Sequence, residues 1–332
     1  MIKKCVAIYL IAVLCFPSAA FAADRDYLGT PASEKAAERA LDWLAKNQLD
    51  DGSYGKKAML GTNAAIVGFS GLAFLAGGNV PGRGKYGKNV KLVGDYLASI
   101  QSKDQKTYGL LGKVMYEHGF ATVAMCEIYG MSRNEEYKKV VQDAVNLILI
   151  CQNAKGGWRY QPRIADDDVT VTSCQVQALR AARDVGIVIP KETIEKANAY
   201  LLSCSAANGS MSYQPGQGGG GIERTGAGVL SLMALGDYTS REVEKGADFI
   251  MKARFSENAP HYYYGLYYCN QVMFQKGGEY WKSWYSQVRE TLVTIQKGDG
   301  SFASNQYGSI YATALAAIAL ELPYGYLPLF ER

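Results

Sequence analysis

The chain has 332 residues, 48% of them hydrophobic and 20% charged, with 35 Lys+Arg against 31 Asp+Glu. This composition excludes a disordered chain, a collagen-like fibre and a coiled coil. A formal net charge of +4 over such a length excludes a protein that binds nucleic acid through bulk positive charge.

The first element is an address. Lys3 and Lys4 precede an apolar run from Cys5 to Phe16, Pro17 breaks it, and Ala20-Phe21-Ala22 is a small-x-small cleavage site. Residues 1–22 therefore read as a secretory signal peptide. The run is too short for a retained membrane span, and no later window is apolar enough to be one. Cleavage after Ala22 removes two lysines and lowers the net charge from +4 to +2. Residues 23–332 are expected to be exported, periplasmic or secreted, and to form one domain without a transmembrane helix. Five cysteines remain: Cys126, Cys151, Cys174, Cys204 and Cys269. Their number is odd and no pair has Cys-x-x-Cys spacing. Cys151 and Cys204 end corresponding predicted helices, so they are either a disulfide or two buried thiols.

The rest of the chain repeats. Gln48-x-x-x-Gly52-x-Tyr54 recurs as Gln152-x-x-x-Gly156-x-Trp158 and Gln296-x-x-x-Gly300-x-Phe302. The intervals are 104 and 144 residues, two units of 52 and three of 48. Worn copies stand between them, from Gln101 to Tyr108-Gly109 and at Ser205-x-x-x-Gly209-x-Met211, with a third expected near Arg254. An amphipathic stretch precedes each copy, most clearly Trp281, Trp284, Val288, Leu292 and Ile295, spaced by three or four. A loop and a more uniformly apolar helix follow each copy, as at 62–76, 168–183, 224–235 and 309–321. A helix apolar nearly all round must be buried on most sides. Six such units must stack, and the absence of polar end caps predicts closure into a ring of six inner and six outer helices. The tail from Leu322 carries two prolines, cannot continue a helix, and is expected to cross one end of the ring.

In register, the Gln-x-x-x-Gly-x-aromatic element resembles the repeat of squalene/oxidosqualene cyclases and protein prenyltransferase β subunits. The resemblance covers essentially the whole mature chain and implies an all-α (α/α)6 toroid. It also implies, less directly, a terpene cyclase/mutase-like activity on an isoprenoid in a central cavity. In squalene–hopene-type cyclases an Asp-x-Asp-Asp-Thr motif follows the Gly-x-Trp element, and its middle Asp is the proton donor. Matching it to Asp166-Asp167-Asp168 places the acid on Asp167 and the last Asp on Asp168, while Ala165 and Val169 depart from the motif. Adjacent carboxyls do not all ionise cheaply, so a neighbour keeps one protonated. Tyr262, Tyr263, Tyr264, Tyr267 and Tyr268 would then stabilise a carbocation. The same residues admit plainer readings: the aspartates as helix caps or polar ligand contacts, and the tyrosines as packing.

Aligning the inner helices through Cys126, Cys174 and Cys269 brings His118, Asp166 and His261 into register, which predicts a polar rim at one mouth. Gly218 to Gly221 form a loop at that mouth, a lid or slack, ahead of Glu223 and Arg224, the latter placed to pair with a rim carboxylate. No metal or cofactor set emerges: no Asp-x-Cys precedes His261 and Cys269 as in the prenyltransferase zinc site, and no Gly-x-Ser-x-Gly or His-Glu-x-x-His occurs. Three functions stay open. The first is a cyclase. The second is a non-catalytic toroid that binds a ligand or a protein. The third is a carbohydrate-active toroid, which needs two opposed carboxylates, with Glu117, Asp167, Glu223 and Glu321 as candidates.

Overall fold

The computed structural model describes residues 28–55, 63–253, 255–304 and 306–331. The expected signal peptide and the worn copy at Arg254 lie outside them. Among the described residues the outer helices are α1 (Pro31–Asn47), α3 (Gly87–Ser99), α5 (Glu135–Cys151), α7 (Lys191–Ser203), α9 (Arg241–Lys252) and α11 (Gly278–Ile295). The inner helices are α2 (Ala64–Ala76), α4 (Met115–Ser132), α6 (Val169–Asp184), α8 (Ile222–Ala234), α10 (Tyr262–Lys276) and α12 (Gly308–Glu321). Residue pattern sorts the layers. In α9 the buried residues are Val243, Gly246, Ala247 and Ile250, one stripe facing inward. In α2 every residue of AAIVGFSGLAFLA is buried. Each inner helix packs on the next, and α12 packs on both α2 and α1, which closes the ring.

The repeated glutamine makes the joints. The Gln152 Nε2 donates to Gly156 O at 3.0 Å in its own turn and to Thr193 O at 3.0 Å in the next outer helix, α7. Gln48 does the same to Gly52 and to Asn89 of α3, at 3.1 and 3.2 Å. Gln101 reaches Gly109 and Val140 of α5, at 3.3 and 2.8 Å. Gln296 reaches Gly300 at 2.9 Å and, across the seam, Ala36 of α1 at 2.7 Å. The amide thus gives a donor to the carbonyl in its own turn and a second donor to a carbonyl near the start of the next helix, where the helix's own N–H groups already serve it. The glycine is required twice over. Gly156 has φ +96°, and a Cβ there would stand 2.1 Å from the carbonyl oxygen of Lys196 in α7. The ring or side chain two residues on (Tyr54, Trp158, Met211, Phe302) is buried under the turn. In the later copies its backbone N–H donates to a threonine of the inner helix: Trp158 to Thr172, Met211 to Thr225, Phe302 to Thr313.

The other end of the ring is stoppered by the tail. Two 3-10 turns, Leu322–Tyr324 and Pro328–Phe330, bring Leu327, Leu329 and Phe330 into the core. Arg180 Nη2 donates to Glu331 O at 3.2 Å, and Gln275 Nε2 to Phe330 O at 3.4 Å. Two carboxyls are buried at this end. Burial, reinforced by Asp184, pushes Glu127 up to about 8 despite a backbone hydrogen bond from Leu329 and the nearby Arg180. Burial also holds Glu321 well above the usual carboxylate range, and its Oε2 has no partner. The five cysteines are all buried free thiols.

Removing the seam glutamine in Gln296→Ala leaves two carbonyls without that donor, and urea unfolding is expected to show a loss of about 1–3 kcal/mol. Gly156→Ala is expected to cost more than about 1 kcal/mol in the same assay, because the φ is incompatible and the space is filled. A carboxyl whose proton is held more tightly when folded stabilises the fold below its unfolded pKa and loses that contribution as pH rises through the folded one. The contribution of Glu127 is therefore expected to fall as pH rises from about 4.5 to about 8, so unfolding free energy over that range shows a flatter profile in Glu127→Gln.

Candidate functional site

The inner helices all begin at the end opposite the tail, and their first turns surround a cavity of about 570 Å³. Its wall takes Asn63, Ile66 and Phe69 from α2 and the turn before it, Tyr116 from α4, Thr170 from α6, and Glu223 and Arg224 from α8. His261 and Tyr264 come from α10, and Tyr307 and Tyr311 from α12. Tyr160 and Tyr213 enter from the loops before α6 and α8. The floor is aromatic: Phe69 lies 4.5 Å from Phe120 and 5.5 Å from Tyr267, centre to centre. Tyr264 packs edge-on against Tyr268 at 4.8 Å and is buried. Arg224 lies 5.9 Å over the Tyr213 ring, and among the described residues no carboxylate pairs with it.

The three aspartates stand beside this cavity, in the loop that enters α6. Asp168 is fully buried and is the N-cap. It accepts from the N–H of Thr170 and Val171, both at 2.9 Å, and from Arg159 Nη1 at 2.7 Å. Asp167 is buried too; its carboxylate accepts from Asn153 Nδ2 at 2.8 Å and lies 3.6 Å from Lys155 Nζ. Asp166 is half-exposed, between Arg159 at 3.2 Å and Gln214 Nε2 at 3.0 Å. At this sector the cavity wall is made by Thr170, Tyr213 and Tyr160, so the three carboxylates are engaged by donors of their own loops.

The expected rim is brought together in part. His261, Glu223 and Arg224 do line the mouth. His118 does not: it is fully buried, accepts the Leu111 N–H on Nδ1 at 2.9 Å and meets Ala144 O through Nε2 at 3.1 Å. Burial lowers it to about 4 and keeps it neutral. It serves the second repeat where threonine serves the later ones: Cys126, Cys174 and Cys269 stand at different distances from the starts of α4, α6 and α10, so the alignment through cysteines set His118, inside α4, level with Asp166 and His261, which precede their helices. Tyr262 stacks on Phe255 at 4.7 Å, away from the centre. Tyr263 lines a neighbouring chamber. Of the other candidate carboxylates, Glu117 accepts from Ala64 N at 3.3 Å at the start of α2, and burial raises its pKa. Glu321 sits at the end of α12, far along the chain's inner helix from the mouth. Glu223 is the one carboxylate on the wall among the described residues. Tyr116, Tyr160, Tyr213, Tyr307 and Tyr311, which the sequence reading did not select, form much of the wall. Their signal was there: each lies within about one turn of the start of an inner helix or in the loop feeding it. Among the described residues no group of three His, Cys, Asp or Glu side chains is placed to hold a metal, and no helix is long and apolar enough to cross a membrane.

A ring of six helix pairs with a cavity at the inner N-termini defines an α/α toroid. The profile of the prenyltransferase alpha-alpha toroid domain matches residues 22–259, and the chain belongs to that family. No curated protein sequence matches it. Among solved structures it is similar to an inactive variant of an alpha-1,6-mannanase of Salegentibacter sp. HEL1_6 in complex with alpha-1,6-mannotriose. The TM-score is 0.66 at 9% identity, over 87% of this chain and 98% of that one. It is also similar to a type II terpene cyclase from Scytonema in complex with geranylgeranyl dihydroxybenzoate, with a TM-score of 0.63 at 12% identity, over 89% of this chain and 98% of the other. A family 76 glycoside hydrolase from a bovine Bacteroides thetaiotaomicron strain gives a TM-score of 0.65 at 11% identity, over 90% of this chain and 79% of that chain. The fold is thus one shared by terpene cyclases and mannanases.

If Asp168 is a cap, Asp168→Ala is expected to cost about 1–2 kcal/mol in urea unfolding. The exposed Asp166→Ala is expected to change stability by no more than about 0.5 kcal/mol.

Proposed function

We propose that this protein is an exported ligand-binding toroid whose site is the tyrosine-walled mouth of the ring. The observation that carries the reading is the cavity itself. It has a volume of the size that holds small-molecule ligands, about 570 Å³, and it joins an aromatic body to a few convergent polar groups: Asn63, Thr170 and Arg224. The aspartate cluster supports binding over acid-initiated cyclisation. A proton donor must reach its substrate, and Asp166, Asp167 and Asp168 are each held by Arg159, Asn153 or Gln214. Glycoside cleavage needs two carboxyls flanking the scissile bond, and the wall carries Glu223.

One observation favours a second reading. Phe69, Tyr116, Tyr264 and Tyr311 present an aromatic surface that would stabilise a carbocation, so acid-initiated cyclisation of an isoprenoid is the competing function, with Asp167 as the donor that the resemblance implies.

The test is direct. The mature protein is incubated with squalene and shorter polyprenyl substrates and products are analysed by mass spectrometry. In parallel, thermal shifts are recorded with polyprenols and oligosaccharides. The expected result is no cyclised product, together with a ligand-dependent rise in Tm that is lost in Tyr264→Ala. Cyclised product that disappears in Asp167→Asn would replace the binding reading with the cyclase.

A further inference from the structure

We propose that the ligand is a linear glycan of several sugar units, lying across two chambers that the His261–Tyr307 pair divides. This rests on the binding reading of the mouth cavity and names its ligand class. A second cavity, of about 560 Å³, lies beside the first, between the loop entering α10 and the loop entering α12. The two share a wall made of His261, Tyr307 and Tyr311, which line both. Between them the Tyr307 hydroxyl and His261 Nδ1 are hydrogen-bonded at 3.1 Å, and the Tyr307 ring packs on Tyr311 with centres 5.0 Å apart. His261 is exposed and holds φ +59°, a left-handed conformation in which a non-glycine residue is strained. Neither partner is locked by packing on all sides, so a chain crossing the rim displaces one hydrogen bond and can replace it with its own. Together the chambers form one elongated cleft, with room for a ligand longer than either.

The chemistry of the lining selects the class. The side chamber sets the Tyr263 and Tyr311 rings among Asn258, Ser304 and Gln306. The central chamber sets Tyr116, Tyr264 and Tyr311 beside Asn63 and Thr170. A hydrocarbon chain laid over those amides and hydroxyls would strip their water and return no hydrogen bond. A pyranose has an apolar C–H face for a tyrosine ring and equatorial hydroxyls for the amides around it. Tyr264 and Tyr116 line the central chamber beside Asn63 and Thr170, whose amide and hydroxyl are the groups there that can meet such a hydroxyl. Glu223 lines the central chamber and Glu257 the side chamber. Recovery of the oligosaccharides at their original length after titration checks that they are held without being cut.

The experiment is calorimetric titration of the mature protein with linear oligosaccharides of one to six units in several linkages, alongside farnesol as an apolar probe. For the wild type, Kd is expected to fall by about tenfold or more from the disaccharide to the hexasaccharide. In the double variant Asn258→Ala/Gln306→Ala, at two exposed positions, the hexasaccharide Kd is expected to rise by about tenfold with the disaccharide Kd unchanged. Tyr264→Ala, which removes a ring from the wall of the central chamber, is expected to weaken both. Glycan affinity that does not grow with length, or growth untouched by the double variant, overturns the two-chamber proposal and leaves a one-chamber binding site. Farnesol binding with no glycan binding overturns the glycan class. Binding of neither probe overturns the binding reading itself.

Discussion

The ring depends on one side-chain amide used as a two-pronged donor. At each full copy of the repeat a glutamine places one nitrogen between a carbonyl of its own turn and a carbonyl in the first two turns of the next outer helix. That arrangement fixes the distance and angle from one helix pair to the next. The glycine makes the approach possible by removing the side chain where the turn touches the following helix, and the aromatic residue fills the space beneath. Repetition of such joints around the stack then decides whether it opens into a solenoid or returns on itself. Here it returns, and the Gln296 to Ala36 bond is the same joint made between the last repeat and the first.

This explains how much of the fold could be read from the sequence. The glutamine, glycine and aromatic positions are local, regularly spaced and rich in unusual residue types, so the joints declare themselves. The inner helices declare themselves because a segment such as AAIVGFSGLAFLA has no polar side to give to water. Worn copies are harder, and the reason is visible. At Ser205 the amide is missing, yet Gly209 keeps φ +90° and its approach to Lys245 O. Backbone geometry outlasts the side chain that marks it. The threonines at 172, 225 and 313, which receive the turn's N–H, were equally regular and went unread because threonine is common.

The site was less legible, for a different reason. Three consecutive aspartates draw the eye in a sequence, but consecutive residues at a helix start point three ways: one caps, one turns inward to an asparagine, one faces solvent. The wall of the cavity, in contrast, is assembled from six separated segments, each contributing a tyrosine or a polar residue. No local pattern announces such a surface. Glu223, Arg224 and His261 were found because charge near an inner-helix start is rare here; Tyr116, Tyr160, Tyr213, Tyr307 and Tyr311 were missed because each reads as ordinary packing until the ring is closed. His118 illustrates the converse, a residue rare enough to suggest chemistry that instead replaces a threonine in the framework.

The seam between Gln296 and Ala36 joins residues 260 positions apart. Every other joint can form as its repeat is made, but this one needs both ends of the chain at once. Of the glutamine joints it has by far the largest separation along the chain, so it carries the largest loop-closure cost. It also covers the faces that α1 and α12 bury against each other.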